Sequence, residues 1–131
     1  MDGLAKSINM KKGKKAIAEI VGLLMMSRSA AHLMHLKTDS YSKHMALDTF
    51  YTNIVDHMDQ FAEAAQGKLG KLDVPFINLI GDLNDPVVTL EQHMKEVKKL
   101  AEGCEMRMLD AIVDNIEACY SRTLYKLKEL A

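Results

Sequence analysis

Apolar residues return every three or four positions through four long stretches of this chain, and short clusters of glycine, proline and capping residues separate those stretches. In the first, Ile17, Val21, Leu24, Ala31 and His35 share one helical face. This predicts a helix over 16–37, with a start as early as Leu4 opposed by Gly13 in a lysine run. Thr38, Asp39 and Ser40 supply caps for a second helix over 40–66, with Gly67 as its stop and Leu47, Phe50, Ile54, Phe61 and Ala65 facing the core. Residues 68–86 form a long connection in which 74–80 are apolar enough for a short extra helix. Asp85 and Pro86 start a third helix, which Gly103 ends. A fourth, over 105–130, turns Leu109, Ile112, Val113, Ile116, Tyr120, Leu124 and Leu127 inward. The expected architecture is all-α: a four-helix bundle with a short extra helix between the second and third helices.

Composition supports this. A chain of 131 residues fits one domain, and Leu, Ala, Lys, Glu and ten Met favour helix over sheet. The net charge is only -1, but residues 1–15 hold Lys6, Lys11, Lys12, Lys14 and Lys15 against Asp2. That is +4 at one end and -5 on the rest. The division expected is therefore a basic arm, 1–15, ahead of a single bundle domain, 16–131. Lys11, Lys12, Lys14 and Lys15 are candidate contacts to non-specific DNA, set against a solubilising helix start. The apolar run 16–26 is broken by Glu19 and too short to span a bilayer, so no membrane role is expected. Cys104 and Cys119 lack CxxC spacing and are expected as free or buried thiols in a reducing cytoplasm.

The candidate chemistry lies at His32, His44, Asp48, Asp59 and Glu63. The last four fall in a helical stripe roughly 100° wide. Yet His44 and Asp59 are 15 positions apart, a rise of about 22 Å, so one helix cannot bring both to one ion. A second copy lying antiparallel would. Residue 44 then meets 63 and residue 48 meets 59, because both pairs are centred between Asn53 and Ile54. Imidazole with carboxylates suits iron, manganese or zinc. The competing reading is an amphipathic helix with ordinary surface charges. A hairpin turning at residue 38 would also set His32 beside His44.

Ala31-His32, His44-x-x-x-Asp48 and Asp56-His57-Met58-Asp59-Gln60-Phe61-Ala62-Glu63 together resemble the Dps-type mini-ferritins, DNA-binding proteins of starved cells. The likeness is specific over residues 31–67 and loose elsewhere. It implies a ferritin-like bundle in which His32, His44 and Asp48 of one subunit and Asp59 and Glu63 of its twofold mate bind iron. It further implies oxidation of Fe(II) by peroxide or oxygen, iron storage in a twelve-subunit shell, protection from oxidative damage, and DNA binding through lysine-rich tails. Leu33 stands where the family usually has Trp, and Lys37 where Gly is common. The third helix, which helps build the shell contacts, is shorter than in most members.

The conventional di-iron bundle is disfavoured, since no His has Glu three positions before it. His35 reads as a core-edge residue or a supporter of the ligands, and His57 and His93 as surface histidines. Asp110, Asp114 and Glu117 read as a solvated face, and the methionines as adaptable packing rather than copper ligands. The expected function is a ferroxidase and iron-storage homo-oligomer, dimeric or dodecameric, with other divalent metals as alternatives to iron. The alternative is a non-enzymatic ferritin-like bundle that binds DNA or forms a structural oligomer.

Overall fold

The computed structural model describes the backbone from Gly3 and side chains from Lys11 onward; Asp2 and Lys6 of the expected arm lie outside the side chains described. Four helices form, α1 (Gly3–Lys37), α2 (Tyr41–Leu69), α3 (Pro86–Glu102) and α4 (Arg107–Glu129), making an all-α four-helix bundle. α1 packs on α2 and α3, and α4 packs on the same two, so α1 faces α4 across a diagonal. Residue pairs give the directions. Ser27 meets His93 and Gly13 approaches Cys104; Phe50 meets Tyr120 and Phe61 shares a hollow with Leu109; Lys98 meets Glu117 and Glu91 meets Lys128. α2 and α3 therefore run the same way, each antiparallel to α1 and α4, and residues 70–85 must travel the length of the bundle between them. Gly22 shows the route: a Cβ there would lie 2.5 Å from the Pro75 carbonyl, so the crossover presses on the outer side of α1.

Local chemistry sets the ends. Ser40 caps α2 by accepting from the Lys43 amide at 3.3 Å, and Asp85 caps α3 through the Val88 amide at 3.2 Å. Pro86 occupies the first turn of α3, where its missing N–H costs nothing. The core is drawn from all four helices, with Ile17, Ile20 and Leu24 of α1, Leu47, Phe50 and Ile54 of α2, Leu90 and Val97 of α3, and Ile116 and Tyr120 of α4 fully buried. Every apolar position expected inside α1 and α2 is buried. In α4, Ile112 and Val113 are only half-buried, while Cys119 and Thr123 join the core.

Three expectations need correction. Residues 11–15 are not a separate arm but continue α1, and Gly13 is tolerated because it is buried beside the Cys104 carbonyl. α2 passes through Gly67 and stops at Gly70, whose φ of 82° is the conformation that glycine adopts without penalty. The extra helix at 74–80 does not form, and that segment has no regular secondary structure. Its half-buried residues are Val74, Ile77 and Ile80. A three-residue repeat is satisfied by an extended chain as well as by a helix, and Pro75 biases Val74 away from helical angles. By length and composition α1 is apolar enough over Lys11–Lys37 to cross a membrane, but 67% of its apolar 18-residue window is buried in the bundle. It is the core helix.

Candidate functional site

The turn between α1 and α2 gathers an aromatic and imidazole cluster. Its hairpin axis lies between Asp39 and Ser40, not at residue 38, so the neighbour of His44 is His35 and not His32. The two rings stack with centroids 3.6 Å apart. Each Nδ1 donates to the other residue's main-chain carbonyl, His35 to His44 at 2.7 Å and His44 to His35 at 2.8 Å. Carbonyl acceptors fix the tautomer: both protons sit on Nδ1, and neither Nε2 has a hydrogen-bond partner among the described residues. This is how histidines that coordinate metals are commonly held. His32 stacks on Tyr51 at 4.1 Å and meets His35 edge-on at 5.9 Å. The Asp48 carboxylate near the Tyr51 hydroxyl, as an acceptor for its proton and as a like charge, raises the Tyr51 pKa together with some desolvation, against the pull of Arg28.

The expected ligands thus divide. His32, His44 and Asp48 are half-buried at the hairpin end, joined through His35 and Tyr51. Asp59 and Glu63 are exposed further along α2. Among the described residues, no three His, Cys, Asp or Glu side chains stand close enough to hold one metal ion.

The opposite end is basic. Lys11, Lys14 and Lys15 line a groove of about 440 Å³ with Ala18, Glu19, Asp73 and Pro75. Lys14 reaches toward Gly70, which Lys68 and Lys71 flank at the end of α2. The i, i+3 and i+4 spacing puts the three groove lysines on one helix face.

His93 contradicts its reading as a surface residue. It is fully buried, with Nε2 donating to the Ile80 carbonyl at 2.6 Å and Nδ1 accepting from Ser27 Oγ at 2.8 Å. Ser27 in turn accepts from the Tyr120 hydroxyl at 2.7 Å. Burial holds the His93 pKa below its ordinary value and outweighs the Ile80 bond, so the ring is neutral. The chain of bonds ties α1, α3, α4 and the crossover together. Thr89 clamps the same crossover, accepting from the Asp82 amide at 2.9 Å and donating to its carbonyl at 2.8 Å. No substrate path is needed to explain residues so fully satisfied. His57 is half-buried, and its Nδ1 is enclosed without a partner among the described residues.

The remaining candidates are modest. Both cysteines are free thiols, and burial pushes Cys119 up to about 11, which keeps it protonated. Asp110 and Asp114 are exposed at the rim of a 320 Å³ hollow that includes Cys104, while Glu117 pairs with Lys98 at 3.3 Å.

Fold and surface together define a small all-α four-helix-bundle protein with a histidine-lined hairpin and a lysine-rich end. Residues 35–127 match the model of a family of unknown function (DUF5856), and the chain belongs to that family. It is also similar to an uncharacterized 14.6 kDa protein in the mobD-ri intergenic region of Enterobacteria phage T4, with 35% identity over 68 residues, 51% of this chain and 53% of that protein. The chain spans about half the length of this curated relative. No solved structure matches.

Proposed function

We propose that this protein is a non-enzymatic, ferritin-like bundle that acts by binding: it forms a homo-oligomer and holds the DNA backbone at the lysine end of α1. The ferritin-like reading is supported by the single long crossover joining two antiparallel helix pairs. The observation that carries the binding reading is the lysine face of Lys11, Lys14 and Lys15, with Lys68 and Lys71 close by. Lysine–phosphate pairing of this kind gives sequence-independent affinity with strong salt dependence. Two free thiols fit a reducing, cytoplasmic setting.

Replacing Lys11, Lys14 and Lys15 with Gln tests this better than deleting residues that belong to a core helix. In a gel shift the triple variant should weaken binding alike on unrelated duplexes. Its log–log salt slope should fall by about 0.9 for each DNA phosphate that the variant no longer neutralises. Equal binding by both proteins, or none by the parent at low salt, would end the DNA reading.

A second reading is favoured by the hairpin histidines, whose tautomers leave Nε2 lone pairs open. A second α2 lying antiparallel, centred between Asn53 and Ile54, would bring Asp59 and Glu63 of the other copy to Asp48 and His44. It would also set carboxylate against carboxylate, an arrangement that favours a bound cation. Fe(II) would then be a substrate that yields its electron to peroxide or oxygen, as the Dps-type resemblance implies, in a dimer or a larger shell. Rates of ferrous oxidation for the parent and a His44→Ala, Asp48→Ala variant decide it; identical rates would remove the reading.

A further inference from the structure

The crossover carries the most exposed large apolar side chain among the described residues: Phe76 is 95% exposed. Beside it lies a hollow of about 280 Å³ between the crossover and α1, with Met25, Ala30, Leu33, Pro75 and Leu79 in its walls. Met25, Leu33 and Leu79 are each about half exposed, and Leu36, one turn beyond Leu33, is 68% exposed. Met25, Ser29, Leu33 and Leu36 follow helical spacing, so an apolar stripe runs up the outer side of α1 from the crossover to the hairpin. No charged side chain lines the hollow. Contiguous exposed apolar surface of this kind marks an interaction face.

We propose that a second copy of this chain covers that face across a twofold axis, each protomer seating its Phe76 in the other's hollow. Three observations favour a copy over another occupant. The knob and the socket sit side by side on one chain, which is what an isologous contact requires: each patch supplies both halves of its own complement. The lining is uncharged, so two identical faces meet without the like-charge repulsion that the lysine end would suffer. The hollow lies at the lower edge of small-molecule sites, which run from about 300 Å³ upward, and accommodates a single ring. Close seating of the crossover at Gly22 and the bonds to Ile80 and Asp82 anchor the backbone on either side of Phe76 before association, lowering the ordering cost.

The inference rests on the oligomer half of the proposed function and is separable from the DNA half, because mass is read without nucleic acid or metal. Sedimentation equilibrium in chelator should give the parent twice the 14.7 kDa chain mass at high micromolar concentration. Phe76→Glu and Leu33→Lys each change an exposed side chain, so helicity by circular dichroism should hold while the dimer weakens by more than about tenfold. The double variant should recover much of the dimer, since each new Glu then faces a Lys on the other copy. A monomeric parent, an undiminished Phe76→Glu dimer, or a double variant no better than the singles would each overturn the proposal.

Discussion

Two histidine groups in this protein use the same ring for opposite ends. His93 sits in the interior with both nitrogens committed, to Ile80 and Ser27, and with Tyr120 completing the chain. His35 and His44 sit at the hairpin, each with one nitrogen on a carbonyl and the other open. The interior group binds four elements into one body. The hairpin group keeps unused acceptor nitrogens close to the surface, on the half-buried His44 and the nearly buried His35 stacked against it. A polar residue in a helical bundle is therefore read by what remains unsatisfied, not by its type.

The largest expected effect breaks the interior group. His93→Ala leaves the Ile80 carbonyl and the Ser27 hydroxyl without their partner and opens a cavity, which should cost about 3–5 kcal/mol in urea denaturation. His35→Ala, at the hairpin, should cost less, about 2 kcal/mol: its ring is buried, but only one nitrogen is committed and the carbonyl left behind belongs to the half-buried His44. Similar losses from the two would erase the distinction. Gly22→Ala pushes a methyl against the Pro75 carbonyl and should destabilise by about 1–3 kcal/mol, loosening the crossover that His93 holds from the other side. The smallest effect has the opposite sign. A Cβ on Gly67 meets nothing within 4 Å, and Gly67→Ala should stabilise α2 by about 0.5–1 kcal/mol.

pH sharpens the same contrast. The folded His93 has a depressed pKa, so below the ordinary value of 6.5 the unfolded chain takes up a proton that the folded chain refuses. Its contribution is complete above that pH and declines as pH falls below it. Thermal denaturation of the parent should show this decline, and a His93→Gln variant should lose that share of the slope.

Much of the architecture was legible from periodicity and caps: the four helices, the Ser40 and Asp85 starts, the break at Gly103 and the inward faces of α1 and α2. The misses have physical causes. Gly67 and Gly70 are three residues apart, and only the latter's positive φ distinguishes the true end of α2. The three-residue repeat of Val74, Ile77 and Ile80 suits helix and extended chain alike. His93 lies between Gln92 and Met94 with nothing local to announce burial; its partners are 66 and 13 residues away. At the hairpin, spacing placed His32, His44 and Asp48 in one neighbourhood, but the true axis of the turn gave His44 a different partner, His35. Nothing around Phe76 signals its exposure, since the exposure of a single apolar residue is not written in its neighbours.

The contrast between committed and open imidazoles can be read directly from long-range proton–nitrogen spectra of the histidine rings in mildly alkaline solution. The expected result is a proton on Nε2 of His93 and on Nδ1 of both His35 and His44. Protonation of His35 or His44 at Nε2, or of His93 at Nδ1, would contradict it.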